Sequence, residues 1–113
     1  MRMEAAIRAI AEPRRREILR LVGTAELAAG EIASHFDVTR PAISQHLRVL
    51  KEAGLVSERR DGTKRLYRAR PESIAQLREY LESYWDENLR LLKQAAEQEE
   101  QRGDRRDRRH KGN

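Results

Sequence analysis

The feature that most constrains the fold of this chain is a pair of helical segments separated by a single tight turn. The first is predicted over residues 28–36, and the second, VTRPAISQHLRVL, starts at Val38 and has a good N-capping residue in Thr39. With about 100° per residue, the apolar side chains of the second segment form one narrow stripe. These residues are Ile43, Leu47 and Leu50. The spacing predicts a helix-turn-helix, with its second helix over residues 39–53.

Within the stretch VTRPAISQHLRVL, the other side of this helix carries neither the acidic residues nor the lysines of an ordinary solvated surface. It has instead polar side chains and a proline in the first turn: Thr39, Arg40, Pro41, Ser44, Gln45 and Arg48. In a DNA major groove, arginine pairs with guanine, glutamine with adenine, and serine with bases or phosphates. The pattern therefore favours a helix that reads DNA bases. Taken by itself, the same helix could also be an amphipathic helix that only meets water.

A predicted β-hairpin follows, and it is rich in positive charge. Two short segments flank Asp61 and Gly62, a strong signal for a two-residue hairpin loop. The basic residues of these segments are Arg59, Arg60, Lys64, Arg65 and Arg68. Such charges can also protect the edges of a solvated hairpin. However, residues 38–70 hold nine basic and three acidic side chains, a net charge of +6, and this combination predicts nucleic-acid binding, with the hairpin gripping the DNA backbone or minor groove.

The first and last helices predict an interface between two copies of the chain. A helix over residues 1–11 has two isoleucines on one face, and after Pro71 an apolar stripe continues for about thirty residues, too long and narrow for a small domain to cover. A monomer would leave this stripe exposed as a large patch. The predicted dimer residues are Ile7, Ile10, Leu77, Leu81, Tyr84, Trp85, Leu89 and Leu92. The alternative for Trp85, with Tyr80 and Tyr84, is the lining of an effector pocket.

Length and composition limit the other possibilities. The 113 residues suit one domain, predicted over residues 1–101, while residues 102–113 lack apolar anchors and predict a basic, disordered tail. There is no cysteine, which excludes disulfides, thiolate metal sites and cysteine nucleophiles. The start of the chain lacks the apolar segment of a signal peptide, and no apolar run approaches membrane-spanning length. We therefore expect a cytoplasmic protein.

The histidines do not indicate an active site or a metal site. Only three are present, and they are scattered along the chain. His46 lies beside the apolar stripe of its helix and is expected to pack or to form a hydrogen bond. Ser44 and His46 do not form a catalytic nucleophile with its general base, because residues two apart on a helix point away from one another. We expect no enzyme activity, no cofactor and no bound metal.

The order of these elements resembles the ArsR-type winged-helix transcriptional repressors. The resemblance covers about residues 4–98 and depends on the S-x-x-L-x-x-L register, the EAGLV helix end and the DG-tipped hairpin with a following tyrosine. It implies a mainly α-helical winged helix-turn-helix fold with a small β-hairpin. It also implies a homodimer that binds a palindromic DNA operator and is released by an effector. The DNA-contacting positions of that family correspond here to Arg40, Pro41, Ser44 and Gln45.

The effector implied by the resemblance is not a metal. Metal-sensing members carry a cysteine-containing box in the third helix, or paired histidine and acidic ligands in the last helix. Here the third helix reads AAGEIASHF, without a thiol, and the last helix has no histidine within its apolar repeat. The Tyr-Trp motif of LESYWDENLRLL resembles a metal-independent branch, which leaves an unknown small molecule as the possible effector. From a different functional class, a winged helix that docks proteins rather than DNA is the alternative.

Overall fold

The structure, a computed structural model, describes residues 1–110 and the side chains of residues 1–103. Along these residues the elements are α1 (Met3–Ile10), α2 (Pro13–Thr24), β1 (Leu27–Ala28), α3 (Ala29–Ala33), α4 (Arg40–Glu52), β2 (Val56–Asp61), β3 (Lys64–Ala69) and α5 (Pro71–His110). The described residues divide into two compact units, residues 1–78 and residues 79–110. The predicted fold class, mainly α-helical with a small β-hairpin, is confirmed.

The core of the first unit is built from one face of each of its helices. Its fully buried larger side chains are Ile18, Val22, Ile32, Ile43, Leu47, Leu50, Leu55 and Val56. Three of these are the apolar residues predicted for α4. Because burial of each such side chain stabilises the fold by about 1.5–3 kcal/mol, α4 is held firmly by this face and its opposite face remains available.

Two arginines of α2 bind the C-terminal carbonyl groups of α1. Arg15 Nε donates to Ala9 O at 2.6 Å, and Arg16 Nη1 donates to Ile10 O at 2.7 Å. These carbonyls have no partner within the helix, and positive charge is favourable at a helix C-terminus. Held in this way, α1 packs its alanines into the core, while Ile7 and Ile10 remain half-buried.

α3 is shorter at both ends than the predicted helix over residues 28–36, because a strand precedes it and the regular α-helix ends at Ala33. Leu27–Ala28 pairs antiparallel with β3, so the helix begins at Ala29. After Ala33 the backbone continues in tighter i→i+3 turns. The strand was not predicted, because two residues are too few to show the alternation by which strands are identified. It adds a third strand to the hairpin, in the order β1-β3-β2.

The hairpin forms as predicted, but its loop lies one residue further along the chain. Asp61 is the last residue of β2 and pairs with Lys64, so the loop is Gly62–Thr63 rather than Asp61 and Gly62. Gly62 has a φ of 65°, and no other residue of the loop has a positive φ. A glycine at the first loop position is what a type II′ turn requires, whereas an Asp-Gly loop is typical of type I′.

α5 extends from Pro71 to His110, through residues 102–110, where the sequence predicted a disordered tail. Arginine and glutamate are good helix formers, and an ion pair of 3.8 Å between Arg102 and Glu99 supports the helix at i,i+3 spacing. The helix thus has no boundary at residue 101, and the domain limit there stays a prediction. The last three residues of the predicted tail lie outside the described ones. No helix in the described part of the chain has the length and apolar character to cross a membrane.

The apolar stripe of α5 divides between the two units. Leu77 is only 5% exposed and belongs to the core of the first unit. Surface already buried within one chain cannot be buried against another, so Leu77 does not fit the predicted dimer interface. In the second unit the large apolar residues are exposed: Tyr80, Leu81, Tyr84, Trp85, Leu89, Leu91 and Leu92. The rings of Tyr80 and Tyr84 stack, with centroids 6.4 Å apart.

Candidate nucleic-acid interface

α4 presents its predicted polar face to solvent. Thr39 caps the helix, since its Oγ1 accepts a hydrogen bond from Ala42 N at 3.3 Å. The side chains predicted to contact DNA from this helix are all exposed: Thr39, Arg40, Pro41, Ser44, Gln45 and Arg48. The helical wheel places Pro41, Gln45 and Arg48 opposite the buried stripe and Ser44 at its margin, while Arg40 lies less far round at the start of the helix. Base edges can therefore reach them without any rearrangement of α4.

The C-terminal end of α4 is fixed by a Schellman motif centred on Gly54. Gly54 N donates to Lys51 O at 2.9 Å, and Leu55 N donates to Leu50 O at 3.0 Å. Gly54 has a φ of 79°, in the left-handed region that favours glycine. The motif turns the chain from α4 directly into β2 and so fixes where the hairpin starts relative to the helix.

A basic cleft of about 800 Å³ lies between α3, α4 and the hairpin. Its cationic side chains are Arg40, Arg48, Lys51, Lys64 and Arg65, and Ser44 lies among them. The cleft thus brings together predicted contacts from α4 and from the hairpin that lie far apart in the sequence. A cleft lined mostly by one sign of charge concentrates ions of the opposite sign. Thr39, Pro41, Gln45, Arg59 and Arg60 are not among the residues that line it.

Lys51 and Glu58 also line the cleft, although neither was predicted to contact DNA. Glu58 lies between two cations, with its Oε2 3.4 Å from Lys51 Nζ and its Oε1 3.8 Å from Arg65 Nη1. Burial raises the pKa of Tyr67, and the nearby Glu58 carboxylate raises it further. Lys51 follows Arg48 by about one helical turn, a spacing that could have revealed it. Nothing in the sequence marks Glu58, an acidic residue in a basic hairpin.

Arg59 points away from the cleft and binds a carboxylate. Its Nε donates to Glu26 Oε2 at 2.8 Å and its Nη2 donates to Glu26 Oε1 at 2.6 Å. The hydrogen bond from Arg59 holds the pKa of the Glu26 carboxyl below its usual range. Side chains alternate between the faces of a strand, so Arg59 and Glu58 lie on opposite faces of the hairpin. This partner was not predicted, because Glu26 precedes Arg59 by 33 positions in the sequence.

Arg60 and Arg65 lie directly opposite one another on the hairpin. Like charges at such positions destabilise a pair of strands. Arg65 has the Glu58 carboxylate at 3.8 Å, but among the described residues Arg60 forms no ion pair. An anion bound beside this pair would relieve the repulsion.

His46 is half-buried and accepts a hydrogen bond rather than facing the cleft. Its Nδ1 lies 3.4 Å from Arg15 Nη1. A guanidinium has donors only, so the ring nitrogen must be the acceptor. The expected packing or hydrogen-bonding role of His46 is confirmed, and the contact joins α4 to the start of α2.

Known proteins share this arrangement. A family model described as "Bacterial regulatory protein, arsR family" matches residues 12–58, from the start of α2 into β2. The HTH-type transcriptional regulator Rv2034 of Mycobacterium tuberculosis is 43% identical over 86 residues, which are 76% of this chain and 80% of that protein. The chain belongs to the ArsR family. Another relative of this ArsR-family chain is the transcriptional repressor SdpR of Bacillus subtilis, 43% identical over 60 residues, which are 53% of this chain and 67% of SdpR.

A solved structure similar to this ArsR-family chain identifies its fold. It is the solution structure of the homodimeric winged helix-turn-helix DNA-binding domain Mb0332 from Mycobacterium bovis, 35% identical. The TM-score is 0.62, over 76% of this chain and 80% of that domain. In this fold α3 and α4 are the two helices of the helix-turn-helix, and the hairpin of residues 56–69 is the wing.

Proposed function

We propose that the chain is a homodimeric, sequence-specific transcriptional repressor that binds a palindromic operator in duplex DNA. The observation that carries the proposal is the basic cleft, which continues into the exposed face of α4. In the complex, the N-terminal part of α4 lies in the major groove, where Arg40, Ser44 and Gln45 meet base edges. Pro41 contributes shape and apolar contact only, because it has no polar side chain.

The remaining cations bind the phosphate backbone in this proposal. Lys51, Lys64 and Arg65 line the cleft between α4 and the wing, and the exposed Arg60 lies opposite Arg65. A phosphate between the two strands of the wing removes the repulsion between the two guanidinium groups. Phosphate contacts of this kind position the protein, while the base contacts of α4 give sequence preference.

A second copy of the chain covers the apolar residues of α5. Between Tyr80 and Leu92 seven large apolar side chains are 37–61% exposed, a patch that a monomer rarely leaves open to water. The half-buried Ile7 and Ile10 of α1 join the same interface in our proposal. The similar domain from Mycobacterium bovis is described as a homodimer. A dimer matches a palindromic operator, with half-sites about 34 Å apart, one turn of DNA.

We also propose that the protein is neither an enzyme nor a metal sensor and that it acts in the cytoplasm. The sequence has no cysteine, and within the described part of the chain no three His, Asp or Glu residues are grouped to hold a metal ion. The named relatives are transcriptional regulators. In this proposal, any regulated release of the protein from DNA is caused by a small molecule that is not a metal ion.

Selection of duplex DNA tests the proposal. Purified protein is incubated with a random duplex library, and the bound fragments are sequenced after several rounds. Enrichment of a palindrome with half-sites about one helical turn apart supports the proposal. A protein-docking module would instead fail to bind random duplex DNA even at low salt, and that result would overturn it. Reporter transcription from the selected site then separates repression from activation.

A further inference from the structure

We infer that Arg59 is a positioning residue that orients the wing through Glu26 and does not itself contact phosphate. The inference rests on the proposed function, because it concerns how the wing reaches DNA. It corrects the simplest expectation for a basic wing, in which every arginine binds the backbone.

The ion pair spans the full width of the sheet. Glu26 directly precedes β1, whereas Arg59 belongs to β2, and these strands lie on opposite edges with β3 between them. To reach the carboxylate, the Arg59 side chain crosses β3, where it lies opposite the half-buried Leu66. The bidentate geometry, with contacts of 2.8 and 2.6 Å, fixes both the distance and the angle between the two groups.

The ion pair lies at the base of the wing tip, where it can determine the orientation of the tip. β1 pairs only with Leu66 and Tyr67, so residues 60–65 form a two-stranded tip without a third strand. Arg59 is the last residue of β2 before this tip, and its ion pair ties the tip to the segment between α2 and α3. The proposed phosphate contacts Arg60, Lys64 and Arg65 all lie within the tip. Their placement relative to α4 therefore depends on the Arg59–Glu26 pair.

Because Glu26 is negatively charged, a positioning role and a purely electrostatic role predict opposite changes in DNA affinity when the charge is removed. Glu26→Gln removes a negative charge beside the wing and frees Arg59. If only long-range attraction mattered, or if Arg59 could then bind phosphate, the variant would bind DNA more tightly. If the pair positions the tip, the variant binds the operator more weakly in spite of its higher positive charge.

The experiment measures the affinity for the duplex selected by the wild-type protein across a series of salt concentrations. We expect Glu26→Gln to lower the affinity for the operator by roughly fivefold or more, comparable to the loss of one direct contact. The slope of the logarithm of the affinity against the logarithm of the salt concentration, here called the salt slope, should be unchanged. Arg59→Lys keeps the charge but not the bidentate geometry, and it should show the same loss. The double variant Glu26→Arg with Arg59→Glu should restore binding to within about twofold, because it rebuilds the ion pair in reverse.

The matched control is Glu17→Gln, which removes the same charge from an exposed ion pair with Arg20 on α2 and should not weaken binding. Thermal unfolding of each variant is recorded alongside. Equal or tighter binding by Glu26→Gln would overturn the inference, as would an Arg59→Lys variant that binds like the wild type or a double variant that remains as weak as Glu26→Gln. Failure of the proposed function is distinguishable, since the wild-type protein itself would then not bind duplex DNA.

Discussion

Glu58 Oε2 lies 3.4 Å from Lys51 Nζ, so a carboxylate neutralises part of the basic cleft that faces DNA in the proposed complex. The same carboxylate lies 3.8 Å from Arg65 Nη1. DNA phosphates must compete with Glu58 for both cations. The carboxylate therefore weakens binding to any phosphate backbone and leaves a larger share of the affinity to the base contacts of α4.

Glu58→Gln should accordingly raise the affinity for random duplex DNA by about three- to tenfold at low salt, and raise the affinity for the selected operator by a smaller factor. The measurement is fluorescence anisotropy with labelled duplexes. Glu52→Gln is the matched control, because it removes the same charge from an exposed residue of α4 that does not line the cleft. An equal rise for both variants would show that the effect comes from net charge rather than from the site.

Base reading and phosphate binding should fail in different ways. Gln45→Ala or Arg40→Ala is expected to cost about 1–3 kcal/mol on the operator and little on random DNA. Arg60→Ala or Lys64→Ala should weaken both DNAs similarly and lower the salt slope by about one for each phosphate that a subunit no longer neutralises. Titration of both duplexes over a salt series distinguishes the two sets. If Gln45→Ala and Arg40→Ala both kept the wild-type ratio of operator affinity to random-DNA affinity, α4 would not be the reading helix.

A charge placed on the apolar stripe of α5 should separate the subunits. Leu81→Asp or Trp85→Asp introduces a carboxylate that cannot be solvated within an apolar interface, so we expect monomers and weaker operator binding. Ser83→Asp is the control, since at about 100° per residue Ser83 lies on the other side of the helix. Light scattering gives the mass of each variant. A wild-type protein that is monomeric at micromolar concentration would contradict the proposed dimer.

Two glycines should respond oppositely to the same substitution. Gly54→Ala forces a side chain into the left-handed φ of 79° and should cost about 1–2 kcal/mol of the free energy of unfolding. Gly23 lies within α2, and a Cβ there meets nothing within 4 Å, so Gly23→Ala should stabilise by about 0.5–1 kcal/mol. Urea denaturation of both variants provides the comparison. Stabilisation by Gly54→Ala would contradict the Schellman motif.

Divalent metal ions should leave DNA affinity unchanged. The chain has no thiol, and the described residues contain no grouped set of ligands. The test compares operator binding by chelator-treated protein with and without added zinc, followed by calorimetry. A tight stoichiometric site coupled to release of DNA would refute metal independence.

The sequence predicted α4 well because local chemistry determines it. A capping threonine, a three-and-four apolar repeat and a terminal glycine all indicate the same helix, and the buried residues are the expected ones. The hairpin was also predicted, but its loop was displaced by one residue. Asp-Gly and Gly-Thr are both acceptable loops, and the choice between them depends on strand register.

The details of the interface depend on contacts between distant segments and could not be read from the sequence. Arg59 and Glu26 are 33 positions apart, and they meet only because β1 joins the far edge of the sheet. Leu77 continues the apolar repeat of α5 without interruption, yet it is buried in its own chain while Leu81 is exposed. A periodic pattern shows which side of a helix is apolar, and it does not show what covers that side.

The junction between α1 and α2 is closed by Arg15 and Arg16, whose guanidinium groups bind the last carbonyls of α1. A guanidinium presents five N–H donors in a fixed planar fork, so one arginine can bind several acceptors at once. Arg15 also contacts Arg8 O at 3.3 Å, and its Nη1 lies 3.4 Å from His46 Nδ1 on α4. One side chain therefore touches both the helix that carries part of the proposed subunit contact and the proposed reading helix, so a displacement of α1 on dimer formation would be transmitted to α4 through Arg15.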